Sequence, residues 1–285
     1  MAFENYLIHL GILIAIYSIL TISLNWAVGF TGLLNLGHIG FFGIGAYVSA
    51  LLAVNGIPVF MSIIIGGIAG LIAGFLLALP TSRLKGDYLA LATLGFSFIL
   101  GSVARNWTEV TRGALGIPGI PKVVQGNIRF LIIVLIITAI TYFIFWKLSH
   151  SRFGKTCEAV RDDELAAKML GKDTFMAKML ALSVSAFFAG IAGGFFAHYI
   201  TFIDPSIFGI EDLILLFSMM VVGGLASVKG AAVGTIILFL LPEPLRFIGF
   251  PSAVLGPMRA MIFALILLLI LIYKPKGLFG RVDLA

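Results

Sequence analysis

The chain has 285 residues, 60% of them hydrophobic, with a mean hydropathy of +1.13 and a formal charge of +6. A soluble domain is only about half apolar, so a soluble enzyme is excluded, and the alternating ten-residue segments of a membrane β-barrel are absent. The positive charge is no nucleic-acid signature, because Lys and Arg gather in a few loops between apolar runs, where membrane topology places them.

In chain order, apolar runs cover residues 6–28, 36–54, 59–79, 88–103, 130–146, 179–200, 213–225, 231–241 and 258–273. A hydrocarbon core of about 30 Å needs about 20 apolar helical residues, and the seventh and eighth runs fall short of that. The fold class expected is therefore all-α, a polytopic helical membrane protein of eight to ten membrane segments, several of them broken by Gly or Pro. Residues 1–285 read as a single transmembrane domain in a multi-pass protein of the lipid bilayer. The opening MAFENY has no basic stretch, and no small-residue cleavage site follows the first run, so that run reads as a retained helix. The single cysteine, Cys157, permits no intrachain disulfide.

Two interruptions stand out. Residues 29–45 read GFTGLLNLGHIGFFGIG, and residues 223–234 read GGLASVKGAAVG. Broken backbone at membrane depth is tolerated only where protein or a water-filled cavity satisfies it, and paired interruptions point to a substrate path. Asn35, Gly37, His38, Gly40, Gly223 and Gly224 are the path candidates, against the plainer reading that the glycines only let helices approach closely. His38, beside Asn35 near a segment start, fits a neutral, hydrogen-bonded imidazole better than a gate. His9 and His198 read as structural. Asp204, Glu211 and Asp212 read as a solvated edge, with contact to a partner's basic surface as the alternative.

Residues 147–178 form a charged island holding 12 of the 32 charged side chains, seven of them Lys or Arg. Within it TCEAVRDDELAAKML (156–170) predicts one amphipathic helix, with a Glu164–Lys168 pair and Gly171 at its C-terminal stop. Such a helix is too short and charged to span a bilayer, and the island's five acids disfavour an anionic lipid surface. It reads as a helix that docks in a partner's groove. Cys157, Val160, Ala167 and Leu170 share its apolar face. Glu158, Arg161, Asp162, Asp163 and Glu164 are the polar contacts.

The positive-inside rule puts the island in the cytosol, the loop 201–212 outside, and Lys274, Lys276 and Arg281 at a cytosolic C-terminus. Arg83 and Lys85 fit a second cytosolic loop. The loop 104–129, with Arg105, Arg112, Lys122 and Arg129, counts as external despite its charge. Either it is a structured external feature or a helix upstream is miscounted, which leaves the N-terminal side open.

Enzyme motifs fail. Gly154-Lys155-Thr156 ends like a phosphate-binding loop, but Ser149 stands where its first glycine belongs and no strand precedes it. No GxSxG, HExxH or CxxC occurs. The chain reads as a non-enzyme that binds no cofactor, and any ATP used belongs to partner subunits. An ion-coupled secondary transporter, the rival of another class, would want an acid in mid-membrane, and the clear spans contain none.

Residues 164–171, ELAAKMLG, keep the Ala-Ala pair (Ala166, Ala167) and the Gly171 of the cytosolic-loop signature of ABC importer permeases, with the Glu displaced by one position. Together with GLLNLGHIGFFGIGAY (32–47), YLALATLGFSFI (88–99), the run 107–121, VGGLASVKGAAVG (222–234) and YKPKGLFGR (273–281), the chain resembles the branched-chain amino-acid ABC transporter permease family, closer to its LivM type than to LivH. The resemblance implies an inner-membrane importer of Leu, Ile and Val working by alternating access. It implies a homologous second permease subunit, two cytosolic ATPase subunits that dock on the island, and an extracytoplasmic substrate-binding protein. Trp107, Arg112 and Lys122 in the external loop are the candidate seat of that binding protein. The same machine carrying urea or a short amide remains the alternative cargo.

Overall fold

The computed structural model describes residues 2–84, 86–243, 252–274 and 276–280. Lys85 and Arg281 lie outside them. Twelve helices and one short β-bridge are found among the described residues. α1 (Ala2–Asn25) runs on as a π-helical turn (Trp26–Phe30), and residues 31–37 are not helical. Then come α2 (His38–Val54), α3 (Val59–Thr81), α4 (Asp87–Asn106), α5 (Thr108–Thr111), β1 (Ile117–Pro118), α6 (Asn127–Ser149), α7 (Arg152–Asp162) and α8 (Glu164–Met169). α9 (Thr174–Ile200), β2 (Phe202–Ile203), α10 (Ile210–Gly223), α11 (Val228–Leu240) and α12 (Ser252–Tyr273) complete the chain.

Helical runs at 4–30, 59–81, 87–106, 127–149 and 174–200 are long and apolar enough to cross a membrane, while α2 and α11 are shorter apolar helices. With α10 and α12 these make nine apolar helices among the described residues, in step with the eight to ten segments expected. Leu, Ile and Phe side chains along α3, α4 and α6 point outward, as lipid-facing helices require. α9 is the central post. Its flanks pack on α2 and α3 through small residues: a Cβ on Gly45 would strike the Gly190 backbone, and one on Gly193 would strike the Phe42 carbonyl. Close backbone approach of this kind is how helices associate in lipid, where apolar burial alone gives no gain.

β1 pairs antiparallel with β2, Ile117 opposite Ile203 and Pro118 opposite Phe202. The His198 imidazole reinforces the join, with Nδ1 2.6 Å from the Pro121 carbonyl and Nε2 2.9 Å from Ser49 Oγ. This bridge puts the loop 104–129 at the same end of the bundle as 201–212. Of the two readings left open for the basic loop, this pairing favours a structured feature of that end. Asn5 lies beside Gln125 and Asn127, so α1 starts there too. At the opposite end sit α7, α8, the π-turn and residues 276–280, where Leu278 N–H donates to the Val222 carbonyl at 3.0 Å.

Overpacking normally costs about 1–3 kcal/mol, and in the α2–α9 seam only backbone is present to give way. Gly193→Val should therefore abolish a monodisperse peak in fluorescence-detected size exclusion. Gly95→Ala, where a Cβ meets nothing within 4 Å, should keep or raise the melting temperature, since Ala is favoured over Gly in a helix by about 1 kcal/mol.

Candidate functional site: the α7–α8 elbow and the interrupted helices

The single helix expected over 156–170 is two helices meeting at an elbow. Asp163 is extended (φ −156°, ψ 107°), and its carboxylate accepts from Leu165 N–H at 2.8 Å and Ala166 N–H at 3.1 Å. Asp is a strong N-cap, and here it starts α8 rather than continuing α7. Ser151 caps α7 in the same way, accepting from Gly154 N–H at 3.1 Å. α8 closes as foreseen at Gly171 (φ +75°): Gly171 N–H donates to the Lys168 carbonyl at 2.9 Å and Lys172 N–H to that of Ala167 at 3.1 Å. This is the Schellman pattern, and the left-handed position suits glycine.

The elbow reverses the expected faces. Cys157, Val160 and Ala167 are buried against the chain's own bundle, Val160 and Ala167 beside Ala177 of α9. The face expected to meet a partner therefore packs inward in this chain, Cys157 and Val160 from α7 and Ala167 from α8. Leu170 is exposed as expected. It stands with Leu165 and Met169, which are 62% and 89% exposed and which sequence reasoning passed over. Their signal was the apolar triplet itself, on a helix with nothing apolar left outside it.

The polar residues divide as well. Glu164, expected to pair with Lys168, binds Lys178 of α9 at 2.7 Å, and Lys178 also reaches the Ser82 carbonyl at 3.4 Å. Arg161 pairs with Asp162 at 2.8 Å and donates from Nη1 to the Gly29 carbonyl at 2.8 Å. Glu158 pairs with Lys155 at 2.6 Å. Glu164 and Arg161 thus face inward, while Asp162, Asp163 and Ala166 remain on the exposed rim. Burial pushes the Cys157 thiol up to about 11, so it is held neutral.

The path candidates gather at the two interruptions. His38 is fully buried at the start of α2, Nε2 2.9 Å from Ser23 Oγ and Nδ1 3.4 Å from Asn35 Nδ2. Asn35 Oδ1 accepts from Gly37 N–H at 2.9 Å, and Thr93 Oγ1 accepts from Leu36 N–H at 3.0 Å. Asn35 also borders a small void of about 10 Å³ beside Ser82 and Lys178. Gly40 lines a larger cleft between α2 and α4. Gly223 packs against Gly230 and Gly224 against Gly280, the close-packing role.

Trp107, Arg112 and Lys122 all lie exposed at the β-bridge end, with Trp107 on the rim of that cleft. Asp212 is not on a solvated edge: it is partly buried and hydrogen-bonded to Tyr17 of α1. Among the described residues no group of three His, Cys, Asp or Glu could hold a metal.

Nine apolar helices, five of them long enough to cross a bilayer, two glycine-rich interruptions and a charged elbow at one end fit a multi-pass helical membrane transport protein. Residues 6–272 match the family described as branched-chain amino acid transport system / permease component. The chain belongs to that family. It is 32% identical to the high-affinity branched-chain amino acid transport system permease protein LivM of Escherichia coli K12, covering 95% of this chain and 69% of that protein. Identity is 28% to the probable branched-chain amino acid transport permease protein LivM of Methanocaldococcus jannaschii, over 92% and 90% of the two chains. The E. coli permease protein LivH is 25% identical over 93% and 91%. No solved structure matches the chain.

Two predictions follow from the elbow. Removing one partner of a buried ion pair costs about 3–5 kcal/mol, so Glu164→Gln or Lys178→Met alone should lower the melting temperature more than the two together, and far more than Asp162→Asn. With its thiol shifted to about 11, Cys157 is about a thousandth ionised at pH 8. It should resist maleimide in the folded protein from pH 7 to 9 and react once detergent and heat unfold it.

Proposed function

We propose that this chain is the transmembrane permease subunit of an ATP-driven ABC importer for Leu, Ile and Val, seated in the cell's inner membrane. Residues 1–285 form one permease domain, and 147–178 its coupling loop. The seven Lys and Arg of the island and the placement of Lys276 at the same end support a cytosolic elbow and C-terminus. The matches to both LivM and LivH support a homologous second permease as partner. ATP hydrolysis is assigned to two cytosolic ATPase subunits, and this chain binds no cofactor of its own.

The observation that carries the reading is the tie from Arg161 to the Gly29 carbonyl. It joins a solvent-facing elbow to the first interrupted crossing, and the Glu164–Lys178 pair adds a second tie beside Asn35. A charged hydrogen bond contributes about 1.5–3 kcal/mol. An ATPase that grips Leu165, Met169 and Leu170, with Asp162 and Lys168 at the rim, would then move the residues around His38 as it closes. In this way ATP-driven closure becomes alternating access. At the other end Trp107, Arg112 and Lys122 receive an external binding protein, their charge meeting an acidic rim.

The test is uptake of radiolabelled leucine by proteoliposomes holding the chain with its second permease, ATPases and binding protein. Leu165→Glu with Met169→Glu should cut ATP-dependent uptake at least tenfold and release the ATPases on purification, with insertion unchanged. Glu164 and Ala167 are poor choices here, because their replacement disturbs the chain's own packing. ATP-dependent uptake of urea without leucine would change the cargo. Uptake that ignores ATP and follows a proton gradient would favour an ion-coupled carrier, for which Asp212 is the acid to replace.

A further inference from the structure

Between α2 and α4 a cleft of about 300 Å³ runs from Gly40 and Ser97 to Leu51 and Trp107 near the β-bridge end. Apart from Ser97, Tyr47 and Thr111, its walls are glycine and apolar side chains. The Ser97 hydroxyl is buried and has no hydrogen-bond partner among the described residues. Elsewhere in the bundle Ser18, Thr21, Thr141, Ser183 and Ser218 each donate to the carbonyl four residues back. Ser97 does not, although its helix offers the same acceptor. A buried hydroxyl left open this way costs stability unless something else uses it.

Beside Ser97 the helix α2 begins inside the bundle. Gly40 is its third residue, and a Cβ there would stand 3.0 Å from Ser97 Oγ. The Gly40 N–H already donates to the Gly37 carbonyl at 3.0 Å, so what α2 adds here is the partial positive charge of a helix start, which favours a carboxylate. One end of the cleft therefore offers a single hydroxyl donor in the field of a helix start, and the rest offers an apolar wall of aliphatic size.

We propose that this cleft seats the transported amino acid, its carboxylate at Ser97 and the first turn of α2, its branched side chain along the α2–α4 wall. The assignment rests on the importer reading above and adds where, and by which residues, the cargo is held. Gly101 is then the specificity-determining position. It lines the cleft, and a Cβ there meets nothing within 4 Å, so a larger side chain fills the cleft without disturbing the fold.

The experiment uses the complete transporter in proteoliposomes. Gly101→Leu should lower leucine uptake at least tenfold, with the second permease and the ATPases still copurifying. Ser97→Ala should raise the leucine concentration needed for half-maximal uptake severalfold. In Gly101→Cys, a methanethiosulfonate reagent should block uptake, and millimolar leucine should slow that block, with buried Cys157 giving no background. Normal leucine uptake by Gly101→Leu overturns the assignment. So does loss of the second permease from the Gly101→Leu complex, which would make the cleft a subunit interface, and so does labelling of Gly101→Cys that leucine leaves unchanged. A wild-type complex that takes up no leucine with ATP defeats the importer reading instead.

Discussion

Backbone groups freed by an interrupted helix find no water inside a bilayer, and this constraint organises one whole end of the bundle. Asn25, at the end of α1, donates to the carbonyls of Gly224 and Ser227 at 3.0 and 3.1 Å and accepts from Ala226 N–H at 2.9 Å. One side chain of the first interruption thereby satisfies three backbone groups of the second, some 200 positions away. Thr93, Asn35 and Arg161 serve the groups of 29–37. The two Gly-rich breaks are accordingly one structural unit. Each is solvated by the other and by the elbow, and neither can move alone without stranding polar backbone.

The same economy explains the elbow's surface. Its charges are engaged mostly within the chain, with Arg161 on a carbonyl, Glu164 on Lys178 and Glu158 on Lys155. What it leaves outward is Leu165, Met169 and Leu170. An apolar triplet ringed by Asp162 and Lys168 is the arrangement expected of a helix-in-groove anchor, with apolar side chains giving the grip and rim charges the register.

Hydrophobic runs made the helices legible, since length and apolarity in lipid leave few alternatives: the nine runs lie within a few residues of the helices found. Both interruptions and the Gly171 stop were legible too, because glycine leaves a clear mark. The internal faces of the elbow were not. A helical wheel over 156–170 assumes one continuous helix, and the wheel fails once Asp163 chooses to cap rather than extend. Asp212 was misplaced for a related reason: a carboxylate beside an external loop looks solvated in sequence, and only tertiary packing brings Tyr17 to it. The sequence also could not reveal that Gly223 meets Gly230 while Gly40 lines a cleft against Ser97 and Leu100, because both are glycines at apolar positions.

α9 connects these parts mechanically. At about 1.5 Å per residue, its 27 residues span the bundle. One end holds Lys178, joined to Glu164 and Ser82. The other holds His198, joined to Ser49 and Pro121. Between them Gly190 and Gly193 lock the helix to α3 and α2 with no side chain to yield. A close-packed backbone seam transmits displacement rather than absorbing it. In the proposed cycle a push on α8 therefore reaches α2, which bears both the residues around His38 and one wall of the cleft at Gly40, as movement of a whole helix.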